Sequence, residues 1–232
     1  MHFELSINAS RYQKRTPRIT FRLFPCQTQV GIDKLALQFY QMFLFARPDN
    51  NVITNFLNGC SGDAYSYEDV GYSRSGSPPG YNTDHNRILI GNGPEDFEKA
   101  KTAVRCWKMF DLPWVDLCWP DTPIAVGNNV AVLVSHLGFY SLNACRIVYL
   151  IDETDTIQRF GFAYGTLREH GETGEERFTV EFHPGTGEVW YDVFAFSKPN
   201  HLLAKLGYPI SRMLQKSFAA GSKDAMKRAI ES

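Results

Sequence analysis

Arg168, His170, Glu172, Glu175, Glu176 and Arg177 fall within ten positions, the densest group of side chains in this sequence able to do chemistry. A histidine beside carboxylates can act as a general base or hold a metal. The competing reading is structural. Charges at a hairpin tip keep a sheet edge soluble, and Glu175 or Glu176 can pair with Arg168 or satisfy backbone donors. In the run Glu175–Phe182, Glu176 joins Phe178 and Val180 only if the register breaks, which would draw one acid inward. His170, Glu175, Glu176 and Tyr164 are therefore the candidate catalytic residues.

A second set could line a binding cavity. His136 alternates with Val130, Val132 and Val134, so it points inward, either as a hydrogen-bonded core histidine or toward a ligand. Arg146 shares a strand face with Ala144, Val148 and Leu150. Inward, it would clamp a carboxylate or phosphate, or pair with an acid such as Asp192. Tyr164, Trp190 and Tyr191 are lining candidates whose alternative is plain core packing. Gly91-Asn92-Gly93-Pro94 opens a helix but lacks the spacing of a dinucleotide or phosphate loop. No nucleophile elbow, zinc-protease or Cys–His signature is present, and no cofactor is expected.

Positioning these residues requires a sheet. Turn residues separate the β-like runs Arg87–Ile90, Pro123–Val126, Asn129–His136, Ala144–Ile151, Ile157–Leu167, Arg177–Phe182 and Glu188–Phe196. The connections among the last six are too short for parallel crossovers, so antiparallel meander pairing is expected. Phe160, Phe162 and Tyr164 fall on one face; Gly161, Ala163 and Gly165 fall on the other, where another element can approach closely. Helices are expected at Lys34–Ala46, at Val52–Leu57, and from Pro94 to Pro113 with Phe97, Ala100, Val104, Trp107 and Phe110 inward. The last helix, His201–Ile230, carries a stripe of Leu203, Leu206, Ile210, Met213, Leu214 and Phe218. Pro209 predicts a kink near Lys205–Tyr208. Leu206, Ile210, Met213 and Leu214 are thus ligand-lining candidates.

Composition bounds the function. The 232 residues are 44% hydrophobic and 21% charged, with net charge −1, as in an ordinary globular protein. Residues 1–30 carry five basic residues against Glu4, and 198–232 carry seven against Asp224 and Glu231. The basic residues form no dense run, so nucleic acid is not an expected partner. No apolar run is long enough to span a membrane, and no signal-peptide order opens the chain. Five dispersed cysteines argue against disulfides and a metal site and for a cytoplasmic setting.

Val70-Gly71-Tyr72, Pro79-Gly80-Tyr81, Ile90-Gly91-Asn92-Gly93-Pro94-Glu95-Asp96-Phe97, Trp107-Lys108-Met109-Phe110 and Phe162-Ala163-Tyr164-Gly165-Thr166-Leu167 form one set of motifs. His170-x-Glu172-x-Gly174-Glu175-Glu176-x-Phe178, Val189-Trp190-Tyr191, Phe196-Ser197-x-Pro199 and Gly207-Tyr208-Pro209 complete it. Together they resemble the family known as domain of unknown function nineteen-ninety, over about residues 34–230. The resemblance implies the helix-grip fold of the START-like and birch-pollen-allergen-like superfamily. That fold is α+β, here about seven antiparallel strands in a curved sheet wrapped around a long C-terminal helix. Residues 1–30 would be an extension and 31–232 a single domain. The resemblance implies no activity. The expected function is binding of a small apolar or amphipathic molecule between sheet and helix. The alternatives are an acid–base enzyme of cyclase, dehydratase or hydrolase type, as in relatives of that fold, and an interaction protein using its basic ends.

Overall fold

The computed structural model describes residues 44–168, 170–199 and 208–231. Three helices are α1 (Asn50–Gly59), α2 (Gly93–Arg105) and α3 (Tyr208–Glu231). Seven strands are β1 (Asn82–Asn92), β2 (Val115–Cys118), β3 (Asn129–His136), β4 (Phe139–Thr154), β5 (Gln158–Thr166), β6 (Glu172–Phe182) and β7 (Glu188–Pro199). They form one antiparallel sheet in the order β1-β7-β6-β5-β4-β3-β2. Strands β2 to β7 are thus a meander, and β1 closes the far edge beside β7.

Seven strands agree with the sequence, but one was misplaced. Pro123–Val126 forms no strand; Ile124 packs on the core and the chain turns at Gly127, whose φ is 89°. The edge is instead the four-residue β2, paired from Val115↔Val134 to Cys118↔Ala131. Strand β6 also begins at Glu172 rather than Arg177. The expected helix at 34–46 falls almost wholly outside the described residues, as does the boundary at residue 30.

Helix α2 begins as its sequence requires. Pro94 stands in the first turn with Glu95 and Asp96, and the Asp96 carboxylate accepts from the Asn92 amide at 2.8 Å. It ends at Trp107, which adopts a left-handed conformation (φ 56°) and feeds a 3-10 turn at Lys108–Phe110. This turn plugs the middle of the inner sheet face. Trp107 meets Phe162 edge-on at 4.8 Å, and Phe110 packs on Phe178 at 5.6 Å. Ile90, Phe97, Val104, Ile147, Val180 and Tyr191 complete the buried core around them.

Helix α3 covers the inner face beside this plug. Ala219, Ser222, Ala225, Met226 and Ile230 are buried, and the Tyr191 hydroxyl bonds the Ser222 hydroxyl at 2.7 Å. Of the expected apolar stripe, Phe218 packs on the core, whereas Ile210 and Met213 are 40% and 54% exposed. The described part of α3 opens at Tyr208-Pro209, so the kink expected near Lys205–Tyr208 falls almost wholly outside the described residues. The stretch 201–207, with Leu203 and Leu206, lies outside the described residues.

The outer face is covered in part by α1, capped by the Asp49 carboxylate at the Val52 amide (2.9 Å). Its Ile53 packs with Leu133 and Leu142. The segment 65–75 crosses the same face over Gly165 of β5. A Cβ built on Gly165 would stand 2.0 Å from the Tyr67 hydroxyl, so the expected close approach to the small-residue face is observed.

Candidate functional site

The sheet assigns each candidate acid to a face. Strand β6 pairs with β5 through Tyr164↔Glu176 and Phe162↔Phe178 on one face, and through Gly165↔Glu175 and Ala163↔Arg177 on the other. Glu176, Phe178 and Val180 therefore share the inner face in unbroken register, correcting the expectation that a register break was needed. Glu175 is turned to the outer face.

Glu175 is 2% exposed and fully engaged. Its carboxylate accepts from the Tyr67 hydroxyl and the Gly71 amide, both at 2.7 Å, from the Ser73 amide at 3.1 Å, and from the Ser73 hydroxyl. The Ser73 hydroxyl also bonds the Tyr149 hydroxyl at 2.6 Å. Arg177, on the same face, reaches the Ser73 carbonyl at 2.9 Å and Asp192 at 3.0 Å. Asp192 in turn bonds His85 at 2.6 Å. This network pins segment 65–75 to the sheet, and Glu175 leaves the catalytic set.

Glu176 faces a cavity of about 120 Å³ between the inner face and the first half of α3. Tyr164, Thr166, His170, Glu172 and Gln215 supply polar lining, while Val193, Ala195, Phe218 and Ala219 supply an apolar wall. The Tyr164 hydroxyl donates to Glu176 Oε2 at 2.7 Å. Burial pushes the Glu176 carboxyl up to about 7, against the opposing pull of that hydrogen bond, and pushes the Tyr164 hydroxyl well above its ordinary range. Burial also raises Glu172, partly offset by hydrogen bonds from Ser197 and Ser211. His170 is lowered to about 4 by burial and accepts the Glu172 amide at Nδ1 (3.0 Å). Its ring is therefore neutral near pH 7, with the proton on Nε2.

The roof of the cavity is a polar seam. Arg212 binds Asp84 through both terminal nitrogens, at 2.5 and 2.8 Å, and donates to Gln215 Oε1 at 2.6 Å. Gln215 Nε2 donates to Ser197 Oγ at 2.9 Å and to the Glu172 carboxylate. Asp84, Asn86, Arg212 and Gln215 went unselected from sequence. Their signals were polar alternation in β1 (Asn82, Asp84, Asn86) and the i,i+3 spacing of Arg212 and Gln215.

The other candidates disperse. Arg146 points outward: Nε donates to Asn129 Oδ1 at 2.7 Å and NH1 to the Asp63 carbonyl at 2.6 Å. Its NH2 meets the Cys60 and Ser61 carbonyls at 3.1 Å, so it caps the end of α1, and Asp192 takes Arg177 instead. Trp190 is also outside, with the Arg87 guanidinium 4.6 Å from its ring centroid. Tyr191 is wholly buried core. His136 is half-buried at the end of β3, with its pKa lowered by burial, and does not line the cavity. Ile210, Met213 and Leu214 do not line it either. Of the candidate set, Tyr164, His170 and Glu176 are brought together. Among the described residues no cluster fit to hold a metal occurs. A larger groove of about 780 Å³, between α2 and the end of α3, holds none of the candidates.

Comparison with solved structures finds distant likenesses. A hypothetical protein of Helicobacter pylori matches with TM-score 0.44 at 13% identity, over 65% of this chain and 89% of its own. Human STARD10 matches with TM-score 0.41 at 10% identity, over 80% of each chain. Sequence comparison is closer. A UPF0548 protein of Dictyostelium discoideum is 36% identical over 209 residues, 82% of this chain and 97% of that protein. One from Deinococcus radiodurans is 34% identical over 187 residues, 75% of this chain and 92% of that protein. The model of the domain of unknown function DUF1990 matches residues 66–225, a span that includes every described wall of the cavity, and the chain belongs to that family.

Proposed function

We propose that this protein binds a small amphipathic molecule in the cavity beneath α3. The observation that carries this is the mixed lining: Tyr164 and Glu176 at one end, Val193, Ala195 and Phe218 at the other. A cavity of about 120 Å³ exceeds the space one water needs and suits a small ligand or headgroup. Ala195 lies directly opposite Glu176 on β7, so Ala195→Leu fills the space. Native mass spectrometry of the full chain with a metabolite extract should show a bound mass that this variant loses. No bound mass, or one that survives the filling, would overturn the reading. Among the described residues no helix is long and apolar enough to cross a membrane. Cys106, Cys118 and Cys145 are free thiols, which supports a cytoplasmic setting within this proposal. The proposal also takes residues 1–30 as an extension and 31–232 as one binding domain.

A second reading, acid–base catalysis, is favoured by one observation: a carboxyl titrating at about 7 beside the Tyr164 hydroxyl in a cavity. It predicts exchange of ligand carbon-bound protons in D2O, lost in Glu176→Gln. Exchange that persists in that variant would remove Glu176 from the chemistry.

A further inference from the structure

We propose that the ligand carries an ammonium group, held by Glu176 and Glu172. This rests on the binding reading above and names its ligand class. Asp84, Glu172 and Glu176 line one cavity, and Glu175 also borders it but has its carboxylate engaged by Tyr67, Gly71 and Ser73 on the other face. The Arg212 guanidinium is bound bidentately to Asp84. Lys223, the next cation along the inner side of α3, reaches Asn86 Oδ1 at 3.4 Å rather than either glutamate. His170 is neutral near pH 7. Among the described residues no close ion pair involves Glu172 or Glu176, although the Arg212 charge lies near enough to favour ionised Glu172.

Their hydrogen bonds leave acceptor capacity in the cavity. Glu176 uses Oε2 for Tyr164, and the described residues offer Oε1 no donor. Glu172 receives an amide proton from Gln215 and hydroxyl protons from Ser197 and Ser211, so the spare capacity lies mainly on Glu176. Two carboxylates carry about eight acceptor positions between them, and an ammonium supplies three donors and the missing charge. A carboxylate or phosphate would instead meet the like charge of Glu176 with Glu172 beside it, and a neutral alcohol would leave the Glu176 charge unbalanced. The apolar wall of Val193, Ala195, Phe218 and Ala219 suits a carbon stem of a few atoms.

The test uses the full chain, with propylammonium, 1-propanol and propionate as matched probes. Binding is read from amide chemical shifts of cavity residues at pH 7.5. Propylammonium should bind at least tenfold tighter than 1-propanol, and propionate should not bind. Glu176→Gln and Glu172→Gln should each weaken propylammonium at least tenfold while leaving 1-propanol unchanged. Glu175→Gln, on the other face, should change neither. Retained dispersion of the amide spectrum certifies each variant's fold. Equal or tighter binding of 1-propanol or propionate at the same resonances would overturn the ammonium assignment and leave the cavity reading standing. No probe moving cavity resonances would overturn both.

Discussion

The position of Glu176 has a stability consequence that can be worked from its pKa. An ordinary glutamate titrates at 4.5, and burial in the cavity wall pushes this one to about 7. Between those values the folded chain holds a proton that the unfolded chain has released, so stability falls as pH rises through that window. Above pH 7 the full penalty applies, and 2.5 pH units at 1.36 kcal/mol each come to about 3 kcal/mol. Glu176→Gln keeps the shape and an oxygen for the Tyr164 hydroxyl but has no proton to lose. The variant should match the parent at pH 4.5 and exceed it by up to about 3 kcal/mol at pH 8. Urea unfolding at a series of pH values, with unchanged m-values, measures the difference. Glu172, also raised by burial, cancels in the comparison because both proteins carry it. A parent–variant difference that stays flat within about 0.5 kcal/mol from pH 4.5 to 8 would refute the buried, uncompensated carboxyl.

Glu175→Ala should cost about 4 kcal/mol in urea unfolding, because it orphans the buried Ser73 amide and Tyr67 hydroxyl together. Its binding of propylammonium should not change. Gly165→Ala places a methyl 2.0 Å from the Tyr67 hydroxyl, so it should lose about 2 kcal/mol and speed amide exchange in segment 65–75. A neutral outcome there would mean that Tyr67 moves freely. Arg146→Ala should cost about 3 kcal/mol and raise exchange over Asn50–Gly59, since three carbonyls at the end of α1 lose their charged donor. If Arg146 were instead a ligand clamp, stability would hold and binding would fall.

What was legible in the sequence was whatever local chemistry decides. Pro94 with Glu95 and Asp96 starts α2 in any context, and the parity of Phe160, Phe162 and Tyr164 survives because β5 pairs β6 without a bulge. Arg146 shows where parity fails. It does share a face with Ala144, but the register shift between Ile147 and Tyr149 returns Leu150 to the inner side, so Val148 and Leu150 were misleading neighbours. The apolar stripe of α3 holds at Phe218 and fails in the first turns, for a different reason. An amphipathic helix turns its apolar side inward only if the opposing surface is apolar, and here Asp84 and Glu172 oppose its first turns. Arg212 reaches Asp84 across 128 positions of sequence. Nothing local announces such a pairing.

The two adjacent acids of β6 show how one strand separates support from binding. Consecutive residues face opposite sides of a sheet, so Glu175 and Glu176 share a backbone and little else. On the outer side, segment 65–75 brings four donors to Glu175, which leaves its carboxylate saturated and shut away from solvent. On the inner side, Tyr164 brings one donor to Glu176, and burial leaves that charge costly at neutral pH. A carboxylate kept buried with one donor destabilises the fold unless a ligand completes it. The saturated network outside also holds β6 in register against β5 and β7, which fixes where Glu176 points. Stability is thus concentrated on the outer face and given up on the inner one, and the inner face is where a ligand should be sought.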